Sequence, residues 1–149
     1  MNSQIKSRRM KRGDEAKVSE FISIVFNEYV APGFSQDGID EFMKYIKPDT
    51  IQSQLKENHF GFIATLGRDI LGIIEVCNNN HIALFFVDGR FQRKGIGKKL
   101  LQKALELCSK NDSNFSNISV NATPNSIREP GTFFTNCTNR NFPTENYYS

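Results

Sequence analysis

The sequence predicts a single α+β domain: a mixed, largely antiparallel central sheet flanked by helices. Three observations predict it. Residues 59–88 contain three β-branched and aromatic runs separated by short polar turns. Amphipathic helical spacing precedes them over 18–29 and follows them over 96–108. A length of 149 residues is enough to bury one core without staples, so residues 1–149 are read as one domain.

The chain opens with QIKSRRM (4–10), whose alternation fits a first strand. Gly13-Asp14 then punctuates it, and Asp14 is the expected N-cap. Val18, Phe21, Ile22, Val25, Phe26 and Tyr29 recur at helical spacing and predict an amphipathic helix ending before Pro32. A second short helix carries Ile39, Phe42, Met43 and Ile46 and stops near Pro48. Asp49 with Gln52 three residues on resembles a capping pair and predicts a third helix over 50–57.

HFGFIATL (59–66), ILGIIEVC (70–77) and HIALFFVD (81–88) read as an antiparallel meander joined by Gly67-Arg68-Asp69 and Asn78-Asn79-Asn80. The third run is apolar from Ile82 to Val87, as expected of a central strand covered on both faces. Ile96, Leu100, Leu101, Ala104, Leu105 and Cys108 form the buried stripe of a longer helix, and NISVNAT (117–123) is a further strand. Residues 121–149, dense in Asn, Thr, Pro and Phe, show no sustained period.

Composition narrows the class. Hydrophobic residues at 38% and charged residues at 23% fit an ordinary soluble protein, and a net charge of +3 is too mild for a general nucleic-acid binder. No apolar run approaches the ~18–20 residues that cross a bilayer. The basic start MNSQIKSRRMKRGDE lacks the apolar stretch of a secretory signal. Cys77, Cys108 and Cys137 are odd in number, far apart and form no CxxC pair. They argue for a reducing cytoplasm and against a disulfide framework or a thiolate metal site. His59 and His81 lack the spacing of metal ligands, so no metal is expected.

The chemistry concentrates where an apolar strand passes through a glycine-rich turn into a helix: HIALFFVDGR-FQRKGIG-KKLLQKALELC. A helix N-terminus presents unpaired N–H groups and a positive dipole end. Gly95 and Gly97 let an anion approach those amides, and Arg93, Lys94, Lys98 and Lys99 add positive charge. A diphosphate is the natural guest. A Walker A loop would need glycine at 92 and Ser/Thr at 99, where the chain has Gln92 and Lys99. A dinucleotide fingerprint would need glycine at 100, where Leu100 stands.

Gln92-Arg93-Lys94-Gly95-Ile96-Gly97, between that strand and that helix, resembles the pyrophosphate-binding motif Gln/Arg-x-x-Gly-x-Gly/Ala of the GNAT superfamily of N-acetyltransferases. The order of elements matches too, so the resemblance spans roughly residues 4–123. It implies an acyl-CoA N-acyltransferase-like fold and acetyl-CoA as cosubstrate, with direct attack by a primary amine of a small molecule or protein. By resemblance, the backbone of Phe86 and Val87 pairs with the pantetheine arm, and the amides of Gln92, Arg93, Lys94, Gly95, Ile96, Gly97 and Lys98 hold the pyrophosphate. The N–H of Phe86 or Val87 is the expected oxyanion donor. Asn121 stands where the family places a polar contact to the cofactor.

Attack on a thioester requires a neutral amine, hence a base. Glu75 interrupts an apolar run beside the cofactor strand and is the candidate, facing either the cleft or a solvated edge. His81 is weighed against a surface residue beside a turn, and His59 has no assigned role. Asp37, Asp40 and Glu41 read as a solvated helix face.

Residues 124–149 depart from the family, in which a helix after the strand of Asn121 carries a tyrosine that protonates the departing thiolate. Here Pro130-Gly131 breaks that helix, Phe133-Phe134 resembles its aromatic pair without the hydroxyl, and Tyr147 and Tyr148 stand at the end. Either the tail is a natural variation that closes the sheet differently, through a partner chain in a homodimer, or the reading frame shifted near residue 128. The alternative function is a degenerate module that binds CoA without turnover, with a sensing or assembly role. Neither reading involves nucleic acid or a membrane.

Overall fold

Residues with positive φ end the central strands in the computed structural model of the chain, which describes residues 4–30, 35–57, 59–91, 95–120 and 133–134. Gly67 (φ 62°) turns β2 (His59–Leu66) into β3 (Asp69–Cys77), and Asn78 and Asn79 (φ 56° and 59°) turn β3 into β4 (His81–Val87). Asparagine tolerates this left-handed region better than other side chains. β1 (Ile5–Arg9) pairs antiparallel with β2, Ile5 opposite Leu66, and the sheet runs in the order β1-β2-β3-β4-β5. β5 (Ser119–Val120) lies parallel to the start of β4, at His81 and Ile82. β6 (Phe133–Phe134) runs antiparallel to β4 at Leu84 and Phe85, so this aromatic pair is on a strand and not on a helix.

Helices cover both faces. α1 (Glu15–Val25), α2 (Gln36–Tyr45) and α3 (Pro48–Leu55) lie on one, where Val18, Ile22, Phe26, Phe42 and Ile51 pack on Ile63, Ile73, Leu84 and Phe86. The Phe26 and Phe42 rings stack at 4.0 Å, and Phe42 meets Phe86 at 6.0 Å. α4 (Ile96–Asn111) covers the other face, setting Ile96, Leu100, Ala104 and Cys108 on Leu71, Ile74, Ile82, Phe85 and Val87. β4 therefore sends Leu84 and Phe86 one way and Phe85 and Val87 the other, all buried. A Cβ on Gly72 would stand 3.0 Å from Leu100 Cδ1 and 3.2 Å from Ile96 Cγ2, so glycine there lets the first turns of α4 sit close on β3.

Several local expectations are corrected. Asp14 is the N-cap residue of α1 as expected, but its side chain makes no capping bond; its carboxylate accepts from Arg8 Nη1 and Nη2 at 2.9 and 2.8 Å and from the Lys11 N–H at 2.8 Å. The helix expected to run unbroken to Tyr29 widens into a π-helical turn over Phe26–Val30. α2 ends at Tyr45, before Pro48 as expected, but Pro48 itself opens α3 at N1, where its missing N–H costs nothing. α3 therefore starts earlier than 50–57, and Asp49 lies inside it with Lys47 as the N-cap. The 117–123 strand is described only at Ser119–Val120. Leu101 and Leu105 are only partly buried. Cys108 is free and buried, whereas Cys77 is disulfide-bonded. No described helix is long and apolar enough to cross a membrane.

The Arg8 pair carries a testable pH dependence. The hydrogen bonds from Arg8, against an opposing desolvation, hold the Asp14 carboxyl below its usual value. A carboxyl depressed in the fold contributes stability that is present above its unfolded pKa, about 4, and lost as pH falls through the folded value. Thermal melts of Asp14→Asn should therefore lose less stability than the parent below about pH 4. Parallel acid limbs would assign the effect elsewhere.

Candidate active site

Gly95 adopts φ 80° and ψ 6°, the left-handed conformation, as the residue from which α4 starts. Its carbonyl accepts from the Lys99 N–H at 3.0 Å, and no side chain caps the helix. The amides of Ile96, Gly97 and Lys98 thus have no acceptor within the helix, and Lys98 and Lys99 are exposed beside them. A Cβ on Gly97 would rest 3.5 Å from Phe85 Cζ and from Val87 Cγ2, so this turn lies directly against the end of β4. Gln92, Arg93, Lys94 and Asn121 lie outside the described residues.

Strand alternation separates Phe86 from Val87. Asp88 donates its N–H to Leu71 O of β3 at 2.8 Å, and Phe86 stands opposite Ile73. Successive amides point to opposite edges, so the Phe86 N–H faces β3 and the Val87 N–H faces the edge bearing β5 and β6. Just beyond, Asp88 clasps Arg90 at 2.9 Å across a single 3-10 turn, Gly89–Phe91. The Arg90 hydrogen bonds pull the Asp88 carboxyl below its usual range. A cleft of about 520 Å³ opens between this turn and α1, lined among others by Phe21, Ile24, Glu28, Asp69 and Asp88.

Glu75 is only 1% exposed, which removes the solvated-edge alternative. It lies opposite Gly61 and Leu84 on the side covered by α1–α3, with a register irregularity after it. His59 Nδ1 approaches Glu75 Oε1 at 3.5 Å. Burial, then the field of Glu75, pushes the Tyr45 hydroxyl far above its ordinary pKa, with Gln54 opposing. No hydrogen bond of good geometry forms among these four buried groups. Sequence spacing omitted Tyr45 and His59. Tyr45 stands three positions from Phe42, on the same buried helical stripe, and that was the available signal.

His81 is placed elsewhere. Its Nδ1 lies 2.7 Å from Ser119 Oγ, tying β4 to β5, and burial lowers its pKa. It lies six positions from Val87 along the strand, about 20 Å. Asp40 accepts from Gln36 and Glu41 faces Lys44 on the exposed side of α2, as expected of a solvated helix face. Among the described residues no group of three or more His, Cys, Asp or Glu is placed to hold a metal.

Known proteins share this fold. A family model described as an acetyltransferase (GNAT) domain matches residues 30–128. A GCN5-related N-acetyltransferase from Rhodopseudomonas palustris superimposes with a TM-score of 0.70 at 16% identity, covering 85% of this chain and 78% of that one. The PaiA N-acetyltransferase from Thermoplasma acidophilum, solved with coenzyme A, gives 0.67 at 18% identity over 85% and 84% of the two chains. An aminoglycoside acetyltransferase from an uncultured soil sample, solved with sisomicin, gives 0.60 at 21% identity over 97% and 95%. No curated protein matches. With two thirds of its length matched by the family model, the chain belongs to the GNAT acetyltransferase family.

Proposed function

We propose that the protein transfers the acetyl group of acetyl-CoA to a primary amine by direct attack. The observation that carries this reading is the left-handed Gly95 opening α4 against the end of β4. The amides of Ile96, Gly97 and Lys98 would take the pyrophosphate, joined by Gln92, Arg93, Lys94 and Asn121, with Lys98 adding charge. Phe86 and Val87 would line the pantetheine arm. Of the two, the direction of its N–H favours Val87 as donor to the oxyanion of the tetrahedral intermediate. Glu75 would serve as the base that neutralises the amine. The sisomicin complex of an aminoglycoside acetyltransferase with this fold suggests aminoglycosides among the acceptors to try.

The missing tyrosine favours a second reading, a CoA-binding module without turnover. Calorimetric CoA binding beside an assay of CoA release separates the two. The amines to offer are an aminoglycoside, a polyamine, an aromatic amine and a lysine peptide. The enzyme reading expects acetyl-CoA-dependent release with at least one of them. Binding without release on any amine would leave the module, and no binding would remove both.

A further inference from the structure

Both carboxylate oxygens of Glu75 are shut off from water without a hydrogen bond, and so are Tyr45 OH, Gln54 Oε1 and His59 Nδ1. Each such buried group costs about 1–3 kcal/mol, so five atoms drawn from four elements are an expensive concentration. Such groups in a folded protein call for an explanation, and the handling of protons is one that this geometry suits.

Tyr45 and Glu75 are buried, Gln54 and His59 are half-buried, and of these last two His59 is the one beside Glu75. His59 lines a cleft of about 170 Å³ shared with Arg9, Arg12, Lys56 and Phe60. It also borders one of about 520 Å³ shared with Glu57, Asn79 and Asp112. Its ring holds Nδ1 3.5 Å from Glu75 Oε1. His59 thus lies between a sealed carboxylate and two clefts, with its side chain 11% exposed.

We infer that His59 is the proton outlet of Glu75. This rests on the reading of Glu75 as the base. An ammonium acceptor loses two protons as its amide forms; one ends on the CoA thiol and the other must leave the protein. The departing N–H bond leaves its electron pair on nitrogen, and an O–H bond forms on Glu75. That proton then moves to His59 Nδ1, restoring the carboxylate and giving an imidazolium. The imidazolium releases a proton from its outer nitrogen to water in the cleft, and exchange with that water resets the tautomer. His59 touches no reacting atom and acts only through Glu75.

The test compares His59→Ala, His59→Gln and Glu75→Gln, using acetyl-CoA and whichever amine of the panel turns over best. Both His59 variants should lose at least about tenfold in kcat, with KM for both substrates nearly unchanged. Imidazole in the buffer should restore kcat to His59→Ala, whose vacated volume opens onto the clefts, and not to Glu75→Gln. Where His59→Ala fails to fold, the isosteric polar His59→Gln carries the comparison. Full kcat in His59→Gln with a slow Glu75→Gln overturns the outlet and leaves the base standing. Full kcat in Glu75→Gln removes the base and its outlet together. A loss in His59→Ala that imidazole does not restore marks a structural role and overturns the outlet. Release with no amine at all removes the enzymatic reading beneath it.

Discussion

Gly95→Asp should lower CoA affinity at least about a hundredfold while leaving the fold intact. The new carboxylate would stand at the start of α4, where the amides of Ile96, Gly97 and Lys98 are offered to an anion. It would occupy those donors itself and repel the diphosphate. Losing two charge-assisted hydrogen bonds at about 1.5–3 kcal/mol each is enough for a hundredfold change. Stability pulls in two directions: a side chain at φ 80° costs about 1–2 kcal/mol, and a negative charge at a helix N-terminus returns about 0.3–1. A Cβ there meets nothing within 4 Å, so no clash is added. Gly95→Ala is the control, since it carries the same backbone strain without the charge and should keep most of the affinity. Calorimetry on the two variants separates strain from electrostatics. Equal losses in both would show that backbone shape matters and the anion site does not, and undiminished binding by Gly95→Asp would displace the diphosphate from this turn.

That turn was legible because its signals are local. The glycines, the flanking lysines and the apolar strand before them sit within about thirty consecutive residues. The meander was legible for the same reason: Gly67, Asn78 and Asn79 are residues that accept positive φ, and they mark the strand ends where the structure has them. Pro48 marked the end of α2, but a proline also suits the first position of a helix, and overlooking that put the start of α3 too late, with Asp49 as its cap. The π-helical turn at Phe26–Val30 was hidden because apolar spacing continues through it while the hydrogen-bond ladder shifts by one. The Glu75 cluster was hidden by distance. Tyr45, Gln54, His59 and Glu75 come from four elements up to thirty positions apart, and their meeting depends on sheet register and on how α2 and α3 lie over it. Glu75 could be noticed as a charge inside an apolar run, but nothing local says which face it takes next to a register irregularity.

Glu75→Gln should make the protein slower and more stable at once. As a buried carboxylate without a hydrogen bond, Glu75 is a liability to the fold that a neutral amide of the same shape removes. Relief of that desolvation, with new N–H donors for Tyr45 or Gln54 to accept, should add about 1–3 kcal/mol. At this chain length that is about 2–4 °C in Tm for each kcal/mol. Turnover should fall by about 10²–10⁴, the usual worth of a positioned base. CoA affinity should hold, because Glu75 lies on the face covered by α1–α3 and α4 presents its amides from the other. Glu75→Leu tests the same logic without the polar contacts: it should be inactive, and stable to the extent that the apolar side chain fits beside Leu84. The two readouts are informative only together. Lower activity with lower stability would describe ordinary damage to a core. Lower activity with higher stability is what a functional charge held in the interior at the expense of the fold must give, because selection retains such a group only for what it does.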